Sequence, residues 1–119
     1  MTILKTNIEN LSADKKALYR LTKSGGTNVK DIEPDKSHKV EAYALYTDVK
    51  RGKDGEEKEQ TVLAVVLADG TKLQTISPTF IEGFLEVVDI MDGEEFSIIT
   101  RKSVSKGGRE FVYCELDCD

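Results

Sequence analysis

The chain has 119 residues, with 17 Lys and Arg against 22 Asp and Glu, a net charge of −5. That length supports one folded domain with one core, and the acid excess excludes a protein that gathers nucleic acid through its overall field alone. No stretch nears the ~20 consecutive apolar residues of a membrane span, and MTILKTNIEN has no apolar signal core, so an intracellular setting without membrane contact is expected.

Residues 1–11 carry no periodicity and are expected to be a poorly ordered lead-in. Ser12 suits a helix N-cap and Asp14 the positive end of a helix. Ala17, Leu18 and Leu21 then share one helical face before the Gly25-Gly26 stop. A short helix is predicted there, followed by a linker, TNVKDIEPDKSH, with a turn at Pro34-Asp35.

From Lys39 the period becomes two, and KVEAYALYTDV predicts a long first strand. KRGKDGEEKE reads as a loop, and QTVLAVVLA, nearly all aliphatic, as the second and most buried strand. Asp69-Gly70 signals a hairpin into TKLQTI, the third strand. Ser77-Pro78 opens a helix whose Phe80, Phe84, Val87 and Met91 form one stripe, with Ile81 and Val88 beside it and Gly93 as the stop. EEFSIITRKSV and REFVYCEL, joined by SKGG, are the last two strands.

Three strands, a helix and two strands predict a mainly β fold with helices. It is a five-stranded OB-type barrel over residues 37–119, with the lead-in, short helix and linker over 1–36, together one folded domain. In such a barrel, nucleic acid lies in a cleft flanked by the loops joining strands one to two and four to five.

Basic residues gather in those two loops, although Asp54, Glu56, Glu57 and Glu59 follow closely in the first. Lys50, Arg51 and Lys53 lead the first, and Arg101, Lys102, Lys106 and Arg109 lie in and before the second with no acid among them. Residues 82–95 carry Glu82, Glu86, Asp89, Asp92, Glu94 and Glu95 and no cation, and taking that −6 from the total of −5 leaves +1 elsewhere. Coating a strand without reading it also needs flat rings on which bases stack. Alternation makes Tyr43 the exposed ring of the first strand, with Tyr46 on the aliphatic face. Phe111 and Tyr113 point opposite Val112, Cys114 and Leu116, so they are stacking candidates, and Phe96 is assigned to the core.

The segments LYRLTKSGG, KVEAYALYTDV, TVLAVVLADG, ISPTFIEGF and FSIITRKSVSKGGREFVYCEL resemble, in the same order, the small single-stranded DNA-binding proteins of tailed bacteriophages. The resemblance spans about residues 11–116 and rests on turns and core strands rather than on contact residues. It implies an OB-type barrel that protects single-stranded intermediates in phage or prophage DNA replication, in the cytoplasm of a bacterial host.

Catalytic signatures are missing: no Walker loop, no Gly-x-Ser-x-Gly and no paired carboxylates in an apolar setting. No enzyme activity and no cofactor are expected. Cys114 and Cys118, with one distant histidine, His38, do not make the roughly four ligands of a zinc site. They read as one buried thiol and one tail thiol. Single-stranded DNA is the expected partner, with replication proteins and self-association, as a homo-oligomer or a cooperative array, left open. The competing reading is a non-enzymatic phage accessory protein that binds a host protein through the acidic surface of residues 82–95.

Overall fold

In the computed structural model, which describes residues 2–23 and 25–119, β3 (Ser37–Arg51) is the spine because different strands share its edges. Along one edge it pairs with β4 (Glu57–Leu67), from Val40↔Leu67 to Arg51↔Glu57. β5 (Lys72–Thr75) follows β4, and β2 (Thr27–Asn28) adds to β5 in parallel. The other edge of β3 is divided. β6 (Ser97–Val104) takes its start, with Ser37 opposite Ile99, and β1 (Thr2–Thr6) takes its middle, with Thr6 opposite Ala44. β7 (Glu110–Leu116) pairs with β6.

The resulting sheet, in the order β2-β5-β4-β3-β6-β7, curls into a half-barrel. The 3₁₀ turn Val29–Asp31 touches both β5 and β7, and Val29 is buried. The following stretch is tied to β6: the Asp35 amide donates to the Thr100 carbonyl over 2.8 Å.

Two helices cover the sheet. α2 (Pro78–Met91) starts where the Ser77 hydroxyl accepts from the Phe80 amide and Pro78 supplies a preset φ. It ends where Asp92 turns left-handed (φ 45°) ahead of Gly93 (φ 89°). Phe80 and Phe84 are fully buried on the inner face, and Phe84 meets Tyr43 edge-on at 5.2 Å and Phe96 at 5.9 Å. Gly83 lets α2 sit directly on β7: a Cβ there would lie 3.0 Å from the Cys114 carbonyl oxygen. α1 (Lys15–Thr22) covers the outer face instead. Leu21 and Leu11 close over Ala44, Tyr46, Val62 and Ala64, with Ile3, Ile8, Ala17 and Leu18 around them. β3 and β4 are therefore buried on both sides, which is why QTVLAVVLA shows no alternation.

Several expectations need correction. Residues 2–6 are a strand, not a lead-in: β1 caps the free edge of β3, and Asn7 follows by bonding both Glu41 and Tyr43 backbone groups. Asp14, not Ser12, caps α1, with its carboxylate accepting from the Ala17 amide. The linker contributes β2 and the 3₁₀ turn, and strands β3 and β4 extend so far that only residues 52–56 remain as loop between them.

Tyr43 is the largest correction. It is 5% exposed rather than open to solvent. The pairing shifts between Val40 and Ala42, so one extra residue of β3 reverses the parity. Val40 therefore shares the inner face with Tyr43 and Leu45, while Ala42, Ala44 and Tyr46 face α1. The two cysteines are free thiols, Cys114 buried and Cys118 exposed, as the sequence implied.

Candidate nucleic-acid interface

The β6–β7 ladder places Arg101 opposite Tyr113 and Ser103 opposite Phe111. Directly opposed residues share a face, so Arg101, Phe111 and Tyr113 form one outward patch. Their neighbours Ile98, Thr100, Val112 and Cys114 point inward and are buried. The Phe111 and Tyr113 rings are half-buried, with centroids 5.9 Å apart and planes inclined by 37°. α2 packs on the other side of this ladder, so its acids lie across the sheet from the rings.

Arg101 is not a free cation. Its Nη1 donates to Asp35 at 2.7 Å and its Nε to Glu115 at 3.3 Å, and these partners raise its already high pKa, Asp35 most. The pairs fix the guanidinium between Asp35 and Glu115 and offset its charge. Lys102 points to the opposite face, where it lines a small cavity of about 140 Å³ with Lys30 and Val112. Lys106 and Arg109 are exposed at the turn, which closes by a Ser105 amide bond to the Arg109 carbonyl and needs Gly108 at φ 80°.

The basic residues of the β3–β4 arm are also separated. Lys50 lies on the outward face, the face of Tyr46, whereas Arg51 lies on the other and pairs with Glu57 at 3.6 Å. Lys53 is exposed in the turn. The two hairpins leave β3 from opposite ends: β6 departs from Ser37, and the arm continues past Arg51. The structure thus gathers Arg101, Phe111 and Tyr113, and it leaves Lys50, Arg51 and Lys53 on a separate projection. Tyr43 belongs to the core.

Lys58 escaped the sequence reading. It stands directly opposite Lys50 on the outward face, and neither ammonium has a carboxylate partner among the described residues. Like charges so placed are unfavourable unless an anion joins them. A turn centred on Asp54 would have paired the two, but the strands were not expected to run so far. Below them, a cavity of about 270 Å³ opens between Thr22, Tyr46, Asp48, Gln60, Gln74 and Ile76. Among the described residues, no group of three or more His, Cys, Asp and Glu side chains is arranged to hold a metal ion.

A half-barrel with paired rings and cations on its outward faces is a surface suited to an unpaired, negatively charged strand. The chain belongs to the phage single-stranded DNA-binding protein family, whose model matches residues 3–117. Single-stranded DNA is accordingly its partner. No match was found among curated proteins or among solved structures.

Proposed function

We propose that this chain coats single-stranded DNA without reading its sequence, protecting intermediates of phage or prophage DNA replication, and that it catalyses no reaction. In this reading β3 to β7 are an OB-type barrel left open between β5 and β7, where the 3₁₀ turn stands in for the missing closure. The order of strands with α2 between β5 and β6, and the pairing of β6 with the start of β3, support it.

The observation that carries the proposal is the Phe111–Tyr113 ring pair on the outward face beside Arg101. Bases stack on such rings for about 1–3 kcal/mol each, irrespective of their identity. Lys50, Lys53, Lys106 and Arg109 supply phosphate contacts along the two hairpins. The acid excess on α2 keeps the affinity of one protomer modest, and the phosphate contacts make it salt-dependent.

Anisotropy of a labelled oligo-dT, compared with a duplex over a salt series, tests this. Preference for the single strand is expected, with log affinity falling by about 0.7 per log unit of salt for each phosphate contacted. Phe111→Ala and Tyr113→Ala each lower the affinity by roughly 5-fold or more at constant fold. Equal affinity for both strand types, or wild-type affinity in both alanine variants, overturns the reading.

A further inference from the structure

Helix α1 has a solvent face of unusual composition. Its apolar residues Ala17, Leu18 and Leu21 are spent on the outer core cluster. At 100° per residue the opposite side carries Lys15, Lys16, Tyr19 and Arg20, and Lys23 at the C-cap continues it. All five are exposed. That is four cations and one ring, with no acid between them.

Three features separate this face from an ordinary solvated helix surface. None of its cations has a carboxylate partner among the described residues, in contrast to Arg101 and Arg51. Tyr19 is 64% exposed, the most open aromatic side chain described, and the Lys23 ammonium stands 5.6 Å from its ring centroid. The chain also concentrates further charge here. Lys72 reaches over from β5 to donate to the Arg20 carbonyl at 3.1 Å and to the Lys23 carbonyl. Its ammonium is held below the ordinary lysine range by desolvation, and Lys23 adds to that.

The position matters as well. Thr22, the last residue of α1, lines the outward cavity with Tyr46 and Gln60, and the unpaired Lys50 and Lys58 lie farther out along that same face of the arm. A phosphate chain leaving the lysine pair passes Asp48 at the cavity and meets cations again across α1.

We propose that the solvent face of α1 is a second contact surface for single-stranded DNA, in which Lys15, Lys16, Arg20 and Lys23 hold phosphates and Tyr19 stacks a base. This rests on the single-strand reading above and extends it to a part of the chain outside the barrel hairpins. A basic amphipathic helix can alternatively lie on an anionic membrane. Here the apolar half is already buried against β3 and β4, so it has nothing to insert.

The test compares wild type, Tyr19→Ala and Lys16→Glu/Arg20→Glu with Phe111→Ala/Tyr113→Ala. Each binds labelled oligo-dT of about 4 and about 16 nucleotides, the span of sites seen for single OB modules. The α1 variants are expected to bind the long oligonucleotide at least about 5-fold more weakly, with little change on the short one. The charge reversal is also expected to flatten the salt slope by about 1.4, two phosphates' worth. All the α1 changes are on solvent-facing side chains, so melting temperatures should match wild type. If wild type prefers single strands but the α1 variants keep its affinity and slope on the long oligonucleotide, the α1 surface is refuted and the barrel reading stands. If wild type shows no single-strand preference, both fall. Loss of binding to anionic phospholipid vesicles, with DNA binding untouched, would assign the face to membranes and overturn the proposal.

Discussion

Replacing Gly83 tests how closely α2 is seated on β7, because two opposed effects of known size meet there. Alanine in place of glycine inside a helix gains about 1 kcal/mol from reduced backbone freedom in the unfolded chain. Against that, the new Cβ would stand 3.0 Å from the Cys114 carbonyl oxygen and 3.8 Å from its nitrogen. Those are backbone atoms of a strand locked to β6 through the Thr100–Cys114 pairing, so they cannot swing aside as a side-chain tip could. α2 must retreat instead, loosening Phe80 and Phe84, both fully buried. Overpacking of this kind costs about 1–3 kcal/mol. We expect a net loss of about 1 kcal/mol for Gly83→Ala and about 3 kcal/mol for Gly83→Val, whose branched side chain adds bulk at the same point. With roughly 4 °C of melting temperature per kcal/mol for a chain of this size, thermal unfolding followed by far-UV circular dichroism resolves both. Gly83→Val should weaken oligo-dT binding too, since β7 carries the two rings. A Gly83→Ala protein melting at or above wild type would refute the close seating.

Three further predictions follow from other parts of the molecule. Asn7→Ala removes the acceptor of the Tyr43 amide (2.9 Å) and a donor to the Glu41 carbonyl (3.2 Å) at the bulge of β3. The loss expected from urea unfolding is about 1–3 kcal/mol, whereas an unchanged midpoint would return residues 1–11 to the status of a lead-in. Burial pushes the Cys114 thiol up to about 12, helped by the charge of Glu115. A thiol reagent at pH 8 should therefore label Cys118 alone in the folded protein and both cysteines after unfolding. The folded state keeps a proton that the unfolded chain releases near its ordinary value of 9, so this group makes stability fall as pH rises from about 9 to 12. Fast labelling of two thiols in the native state would contradict that burial. Finally, Glu86→Lys/Glu94→Lys changes two exposed side chains of the acidic surface, and single-strand affinity should hold or rise. A marked loss of DNA binding in that variant would mean the acids sit near the strand.

Local rules located much of the punctuation of this fold, although Asp14 rather than Ser12 caps α1. Ser77-Pro78 opening α2, Asp69-Gly70 turning β4 into β5, and the Gly93 stop are each decided by a few neighbouring atoms. The inward direction of Val112 and Cys114 was legible for the same reason, since the last strand alternates without interruption. Tyr43 was misplaced because alternation assumes one buried face, whereas α2 covers the Tyr43 side of β3 and α1 the Tyr46 side, and the extra residue between Val40 and Ala42 puts Val40 with Tyr43. β1 was missed because an edge strand needs only a partner, and TILKT carries little pattern of its own.

The candidate site shows the same division. The identity and sign of the groups, two rings on the last strand and cations in both hairpins, were fixed by residue order alone. Which of them share a surface was not. Pairing set Arg101 beside Tyr113, turned Lys102 and Arg51 away, and placed Lys58 across from Lys50. Those are contacts between residues 6 to 12 positions apart in the chain, and they depend on where each hairpin turns. The five-residue cationic face of α1 was written in the sequence as a helical period, yet its meaning came only from the sheet beneath it. Burial of Leu18 and Leu21 on β3 and β4 fixes which half of that helix must face outward, and so which charges are free to meet DNA.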